Sequence, residues 1–369
     1  MNTARKRVWY CALLCLLFFF FLLLLCNAGI AAEGVKTGLT LCTGTLIPSL
    51  FPFLVLCDLM LSLGVTDLLK SLFSRPVSAL FGLSPACSGA FVLGALCGFP
   101  IGTTSALTLR RQGEISPAEM RRTMLICNNP SVGFLVGVVG SGMFHSVQAG
   151  VALFVITQSS ALLVGVLLRL LFGKPAGDEA INRKKDPPAL SVSLLTASIK
   201  AAFAAMLQVC AFLLFFSCIC ACVNAVIARF SLPGWVAVLG SGMLELTAGI
   251  NAAVVSLDAA NAFRAAAAFS AFSGLCVCLQ LYAVAEGSAP PLYVYLLCKS
   301  AQAALSLLLS DLYLRLCSPI LTPPVALQAI NNTARRPTVL ILLAALLIAT
   351  LSIQKRKRRP LRAQSKKGS

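Results

Sequence analysis

Long apolar runs recur along the whole chain and constrain its fold more than any other feature. About 20 such residues are needed for a helix that crosses a bilayer. Because only 11% of the 369 residues are charged, the chain lacks the polar side chains of a soluble domain. The runs do not alternate, which excludes a transmembrane β-barrel. We predict an all-α polytopic membrane protein with about eight transmembrane helices, at residues 8–30, 39–64, 123–144, 147–172, 195–227, 262–283, 290–317 and 337–353.

The basic residues lie mainly at the ends of the chain and in its loops. Lys and Arg total 30 against 12 Asp and Glu, and they cluster at residues 5–7, 183–185 and 355–367. This distribution is typical of topology set by the positive-inside rule, with both termini in the cytoplasm. Nucleic-acid binding is not predicted, because the tail has no aromatic side chains for base stacking. Anionic lipids are the predicted partner of this basic tail.

Two further apolar stretches, at residues 86–109 and 235–257, are interrupted near their middles by glycine, proline or a charge. If residues 86–109 crossed the membrane once, Arg110, Arg111, Arg121 and Arg122 would face outward, against the charge rule. We therefore predict two re-entrant hairpins. The same rule makes them enter from opposite sides, which is the pattern of an inverted-topology repeat.

This pattern divides the chain into five parts. Residues 1–36 form an N-terminal span, and residues 37–172 form the first repeat with its hairpin. Residues 173–189 form a cytoplasmic linker, and residues 190–318 form the second repeat. Residues 319–369 hold the last span and the basic tail.

Two segments of the first repeat can break a membrane helix. Gly98, Phe99, Pro100 and Gly102 combine flexible glycine with a proline that has no N–H group. Asn128 and Asn129 precede Pro130, and their amides offer both donors and acceptors. Structural readings stay open for both: a packed proline kink for the first, and asparagine capping of a helix for the second.

The second repeat carries the buried charges. Glu245 lies at the middle of its hairpin, beside Thr247, and Lys299 lies nine residues into its own span. A charge at this depth costs about 2.5–3.5 kcal/mol. We expect either a Glu245–Lys299 ion pair or a role for Lys299 as counter-charge to an anionic substrate. Ser273 and Gln280 line the same cavity or form hydrogen bonds between helices.

The remaining chemistry-bearing residues predict no catalytic or metal site. The 16 Cys lie mostly inside apolar runs, where cysteine is a small hydrophobe, so we expect neither a disulfide nor a metal site. The single His145 and the absence of hydrolase and nucleotide-binding motifs predict that the protein is not an enzyme. No cofactor is expected apart from a coupling cation of unspecified identity.

Five short motifs stand in order at residues 47–53, 96–102, 111–116, 128–131 and 242–249. Together they resemble the YlbJ family of sporulation integral membrane proteins, also called SpoVV. The family is similar to nucleoside-recognition or Gate-domain proteins and to concentrative nucleoside transporters. The resemblance implies a transporter-like fold with two opposed hairpins, in which a basic residue such as Lys299 suits an anionic cargo. The resemblance extends over about residues 37–318.

The resemblance also implies a biological role. It implies export or uptake of dipicolinate, an aromatic dianion, during spore formation, in the mother-cell or outer forespore membrane. The chain departs from the family after Gly274, where Cys276 and Cys278 stand at positions that are usually polar. A nucleoside-type carrier and a non-transporting scaffold for spore assembly remain alternatives, and association into a homo-oligomer stays open.

Overall fold

Helices make up nearly all of the structure. The structure is a computed structural model that describes residues 3–175, 191–285 and 287–316. Two π-helical segments, Cys42–Leu46 and Phe134–Met143, and a short 3-10 helix, Pro85–Cys87, lie among the α-helices. The α-helices of the described residues are α1 (Thr3–Cys26), α2 (Ala28–Leu41), α3 (Ile47–Ser62), α4 (Val65–Phe81), α5 (Ser88–Cys97), α6 (Ile101–Arg111), α7 (Pro117–Cys127), α8 (Val147–Phe172), α9 (Val192–Arg229), α10 (Gly234–Leu244), α11 (Leu246–Ser256), α12 (Ala259–Phe272), α13 (Gly274–Ala285) and α14 (Leu292–Leu316).

These helices confirm the all-α polytopic class but give a smaller number of straight spans. Four stretches are long and apolar enough to cross a bilayer: Val147–Phe172, Val192–Arg229, Ala259–Ala285 and Leu292–Leu316. The number rises to 6 when two bent helix pairs each count as one span. The predicted span at 337–353, the basic tail and most of the linker at 173–189 lie outside the described residues.

Two predicted spans depart from a regular α-helix. Residues 39–64 contain the π-helical turn of Cys42–Leu46, which joins α2 to α3 without a gap in the helix. Residues 123–144 cross the gap between α7 and the π-helix Phe134–Met143, where Pro130 cannot donate a backbone hydrogen bond. An apolar run records burial in lipid or protein, but it does not record where the helix axis bends.

Both predicted hairpins are present, and both close through glycine. A continuous helix would separate residues seven apart by about 10 Å. Instead, a Cβ placed on Gly249 of α11 would overlap the Cα of Gly242 in α10, and one on Gly94 of α5 would lie 3.2 Å from the Cα of Gly102 in α6. The chain therefore folds back sharply at residues 98–100 and at Glu245.

Each hairpin packs against a helix that is broken about 30 residues later in the sequence. In the first half, Gly94 and Gly102 both lie against the carbonyl oxygen of Cys127, where α7 ends. In the second half, Gly274 lies against the carbonyl oxygens of Gly242 and Leu244, at the junction of α12 and α13. This local likeness of the two halves fits the predicted repeat, while their opposite orientation in the membrane stays a prediction.

The buried apolar side chains of the described residues form two clusters. One cluster of buried side chains includes Leu46, Phe134, Leu246 and Phe263. The other includes Tyr295 and surrounds the first hairpin, α13 and α14. The polar side chains described below, such as Asn128, Glu245 and Lys299, are buried as well.

The expectation that no cysteine is cross-linked is wrong at one pair. Cys57 of α3 and Cys97 of α5 form a disulfide with a Cα–Cα distance of 6.9 Å. Cys97 directly precedes Gly98, so the bond joins α3 to the helix that leads into the first hairpin tip. Sequence spacing could not reveal this contact, because it depends on how two separate helices pack.

The glycine contact in the second hairpin gives a test of its geometry. We expect Gly249→Ala to lower the free energy of unfolding by about 1–3 kcal/mol, because the added methyl group has no space against α10. Gly240→Ala is the matched control, since its Cβ would meet only Ile227 at 3.8 Å. Thermal unfolding of both purified variants in detergent measures the difference. Equal unfolding temperatures for the two variants would contradict the hairpin packing.

Candidate functional site

The tip of the first hairpin sits in the gap that follows α7. Gly98 adopts φ of 75°, a left-handed conformation that favours glycine. The N–H of Phe99 then donates to the carbonyl oxygen of Asn129 at 3.1 Å. A Cβ on Gly98 would collide with the backbone of Ser131. The helix break at residues 98–100 and the break after α7 thus form one structural unit. The free N–H of the first break donates to a free carbonyl group of the second.

Lys299 is fully buried and bonded at this unit. Its Nζ donates to the carbonyl oxygen of Asn128 at 2.7 Å, to Oδ1 of Asn129 at 3.0 Å and to Oε1 of Gln302 at 3.0 Å. An ammonium group has three N–H donors, so all of them are used. All three acceptors are neutral, so the positive charge is solvated but not neutralised by a carboxylate.

Further polar side chains extend this network across four helices. Asn128 donates from Nδ2 to the hydroxyl oxygen of Tyr295 at 2.8 Å and accepts from Thr103 at 3.3 Å. Gln302 donates from Nε2 to Oδ1 of Asn129 at 2.8 Å and to the carbonyl oxygen of Thr157 at 3.3 Å. A buried network that is satisfied to this degree is rigid and specific.

The expected ion pair between Glu245 and Lys299 does not form. Among the described residues, ion pairs join Lys36 to Glu33 and join Asp311 to Arg264 and Arg315. Glu245 instead caps α11, because its two carboxylate oxygens accept the backbone N–H groups of Thr247 at 2.9 Å and Ala248 at 2.6 Å. Each buried charge therefore has its own local partners.

The tips of the two hairpins line one small cavity. Phe99 reaches it from the first tip, and Glu245 and Thr247 reach it from the second. Gln280 of α13 completes its polar lining, and the other lining residues are apolar, apart from the thiol of Cys276. Its volume is about 30 Å³, close to the space of one water molecule. The structure thus brings four of the predicted site residues together around one space.

The other predicted residues divide between the Lys299 network and the helix breaks. Asn128, Asn129 and Lys299 belong to the network, while Pro100 and Gly102 lie at the start of α6. Ser273 is buried at the α12–α13 junction, and its hydroxyl donates to the carbonyl oxygen of Ser270 at 3.2 Å. Ser273 is not among the residues that line the cavity.

Sequence reasoning missed Tyr295 and Gln302, although their spacing carried a signal. Buried residues of α14 include Tyr295, Lys299, Gln302, Ser306 and Ser310. These polar residues are three or four positions apart, so they share one helix face. A polar face on a long apolar helix indicates contact with other polar groups inside the protein rather than with lipid.

No group of His, Cys, Asp and Glu side chains able to hold a metal ion was found in the described part of the chain. Oxygen atoms of amides, hydroxyls and one carboxylate dominate both polar regions instead. Oxygen donors suit hard cations and hydrogen-bonding ligands.

Part of the chain is similar to a known membrane protein. The chain is 31% identical over 165 residues to the sporulation integral membrane protein YlbJ of Bacillus subtilis (strain 168). The match covers 43% of this chain and 39% of that protein. No family model and no solved structure matches the chain. The similarity confirms the resemblance to YlbJ that the motifs predict, and the name of that relative describes an integral membrane protein.

Replacing Lys299 tests the network. Lys299→Met leaves the carbonyl oxygen of Asn128 and Oε1 of Gln302 without this donor, so we expect a loss of about 2–4 kcal/mol in unfolding free energy. Lys200→Met, at an exposed position of α9, is the control and should unfold like the wild type. Denaturant or thermal unfolding in detergent gives the comparison. A Lys299→Met protein as stable as the control would contradict the described bonds.

Proposed function

We propose that this protein is a membrane transporter that moves a small anionic metabolite by alternating access. Dipicolinate is the proposed cargo, and the mother-cell or outer forespore membrane of a sporulating cell is the proposed location. The protein would act without catalysing a reaction. The similarity to a sporulation integral membrane protein supports the cellular setting.

The observation that carries the proposal is the meeting of two broken hairpins around one interior cavity. A helix break within a membrane leaves backbone groups that lipid cannot satisfy, so it persists where it lines a cavity or is buried in protein. Transporters built from repeats use such breaks to bind substrates and ions near the middle of the bilayer. Phe99 and Glu245, one from each tip, line the cavity, which supports a binding role of this kind here.

The absence of a carboxylate among the described hydrogen-bond partners of Lys299 supports an anionic cargo. Its ammonium group is surrounded by neutral oxygen atoms of Asn128, Asn129 and Gln302. A carboxylate acceptor adds Coulomb attraction between opposite charges, which the neutral amide and carbonyl oxygens around Lys299 do not supply. A cargo carboxylate would therefore displace an amide oxygen from Lys299, and the released amide would bind another part of the cargo.

The size of the cavity supports a mechanism in which the hairpins move. A volume of about 30 Å³ holds one water molecule and excludes an aromatic dicarboxylate. Cargo can enter only when one hairpin tip separates from its neighbours. Separation of the first tip breaks the bond from Phe99 to Asn129, which lies directly beside the Lys299 network.

A nucleoside carrier is the second candidate, and the acceptor groups of the cavity favour it. Glu245 and Gln280 present oxygen atoms that could bind the hydroxyl groups of a ribose. A scaffold without transport is the third. It requires that apolar residues can replace Glu245 and Lys299 together without loss of function.

Uptake of radiolabelled dipicolinate into proteoliposomes separates these candidates. Gln302→Glu places a carboxylate beside Lys299, so it should neutralise the ammonium group and lower uptake at least tenfold. Lys299→Ala should abolish uptake. Lys200→Ala, exposed on α9, is the matched control and should transport like the wild type.

Three outcomes would contradict the anion proposal. The first is uptake by Gln302→Glu and Lys299→Ala equal to that of the wild type. The second is labelled uridine uptake that dipicolinate does not compete for, which would identify a nucleoside carrier. The third is full function of a Glu245→Leu, Lys299→Leu double variant in sporulating cells, which would identify a scaffold.

A further inference from the structure

The carboxylate of Glu245 lies in an environment that leaves its charge uncompensated. The side chain is 3% exposed, and backbone N–H groups of Thr247 and Ala248 hold one oxygen each. None of the described residues that line the adjoining cavity is basic. Burial of a carboxylate without a counter-charge is strongly unfavourable.

The second polar group at the cavity is an acceptor that lacks a donor. Gln280 is 3% exposed, and its Nε2 donates to Sγ of Cys276 at 3.4 Å. Its Oε1 is buried and has no hydrogen-bond partner. Buried polar atoms are nearly always satisfied by protein, water or an ion, so an orphaned oxygen beside a cavity marks a ligand position.

The polar lining of the cavity thus consists of oxygen atoms that can accept or coordinate. They are the carboxylate of Glu245, Oε1 of Gln280 and the hydroxyl oxygen of Thr247. The cavity volume of about 30 Å³ fits a single atom of the size of a water oxygen or a small monovalent ion. An anion is excluded by the carboxylate, and a larger organic cation is excluded by the volume.

We propose that this cavity binds one monovalent cation of the size of Na⁺, with Glu245 and Gln280 as its side-chain ligands. The cation neutralises the carboxylate and gives Oε1 of Gln280 its missing partner. Helix breaks of other transporters bind such ions through oxygen atoms. The role as a coupling ion rests on the proposed transport function, whereas binding of the ion does not.

The cavity also defines how this cation would act on the hairpins. Its ligands come from the second hairpin tip and from α13, and Phe99 of the first tip closes the space. A bound cation therefore holds the second tip against α13 and favours the closed arrangement of the two tips. Release of the cation leaves Glu245 without a counter-charge in a closed cavity and so favours opening.

Thermal unfolding of the purified protein in detergent tests the binding directly. In a choline chloride buffer of constant ionic strength, replacement of choline by Na⁺ should raise the unfolding temperature by several degrees in a saturable way. K⁺ should have a smaller effect, because a carboxylate oxygen attracts the smaller Na⁺ ion more strongly. Binding of ²²Na⁺ to the immobilised protein should saturate at one ion per chain.

Two variants locate the site, and one serves as control. Gln280→Leu removes the orphaned oxygen, and the one described bond that the side chain loses is the weak one from Nε2 to Sγ of Cys276, so its cost to folding should be small. It should abolish the Na⁺-dependent shift and lower ²²Na⁺ binding at least tenfold, as should Glu245→Gln. Gln148→Leu, at an exposed position of α8, should keep the full response.

These measurements test binding of the cation independently of transport. The proposal is overturned if Na⁺ has no saturable effect on the wild type, or if both site variants keep that effect. It is also overturned if acidification stabilises the protein and metal cations do not, because the carboxylate would then bind a proton. Dipicolinate uptake without Na⁺ binding refutes this site alone, and Na⁺ binding without uptake refutes only the proposed function.

Discussion

Unpaired backbone groups inside an apolar interior are the constraint on which this structure depends. Each helix break exposes N–H and C=O groups that lipid cannot bind. The protein resolves this by joining its breaks to one another and to buried side chains. Phe99 donates to Asn129, Lys299 donates to the carbonyl oxygen of Asn128, and Glu245 accepts the N–H groups at the start of α11. The polar side chains of the candidate site are therefore also those that make its backbone possible.

This constraint explains why glycine is placed where the hairpins close. Backbone can approach backbone only where no Cβ intervenes, as at Gly94, Gly102, Gly242 and Gly249. The close approach lets the carbonyl group at the end of α7 lie against the first hairpin, and it lets Gly274 lie against the second. Both halves use glycine for this close approach, but the residues around the glycines differ, and the two sequences therefore align only weakly.

Local interruptions of helix could be predicted from sequence, whereas side-chain partners could not. Gly98, Pro100, Pro130 and Glu245 mark breaks because glycine, proline and a buried charge each disfavour an uninterrupted membrane helix. The Glu245–Lys299 pair was wrong because charge alone suggested it, while nearby backbone groups and amides were better placed to satisfy both residues. The irregular turns within the predicted spans were missed because apolar composition is unaffected by a π-helical turn or a bend. The contact of Cys57 with Cys97 depends on the packing of α3 against α5, which leaves no trace in local sequence.

The hydrogen bonds of Lys299 join residues that the ribosome adds to the chain at widely separated times during translation. Its partners at Asn128 and Asn129 precede it by 171 and 170 positions. While the ribosome is still producing the second half, the gap after α7 has been inserted without the ammonium group that later satisfies it. The first half must therefore be held in an incomplete form until α14 emerges, and the last described helix completes a region that was translated long before it.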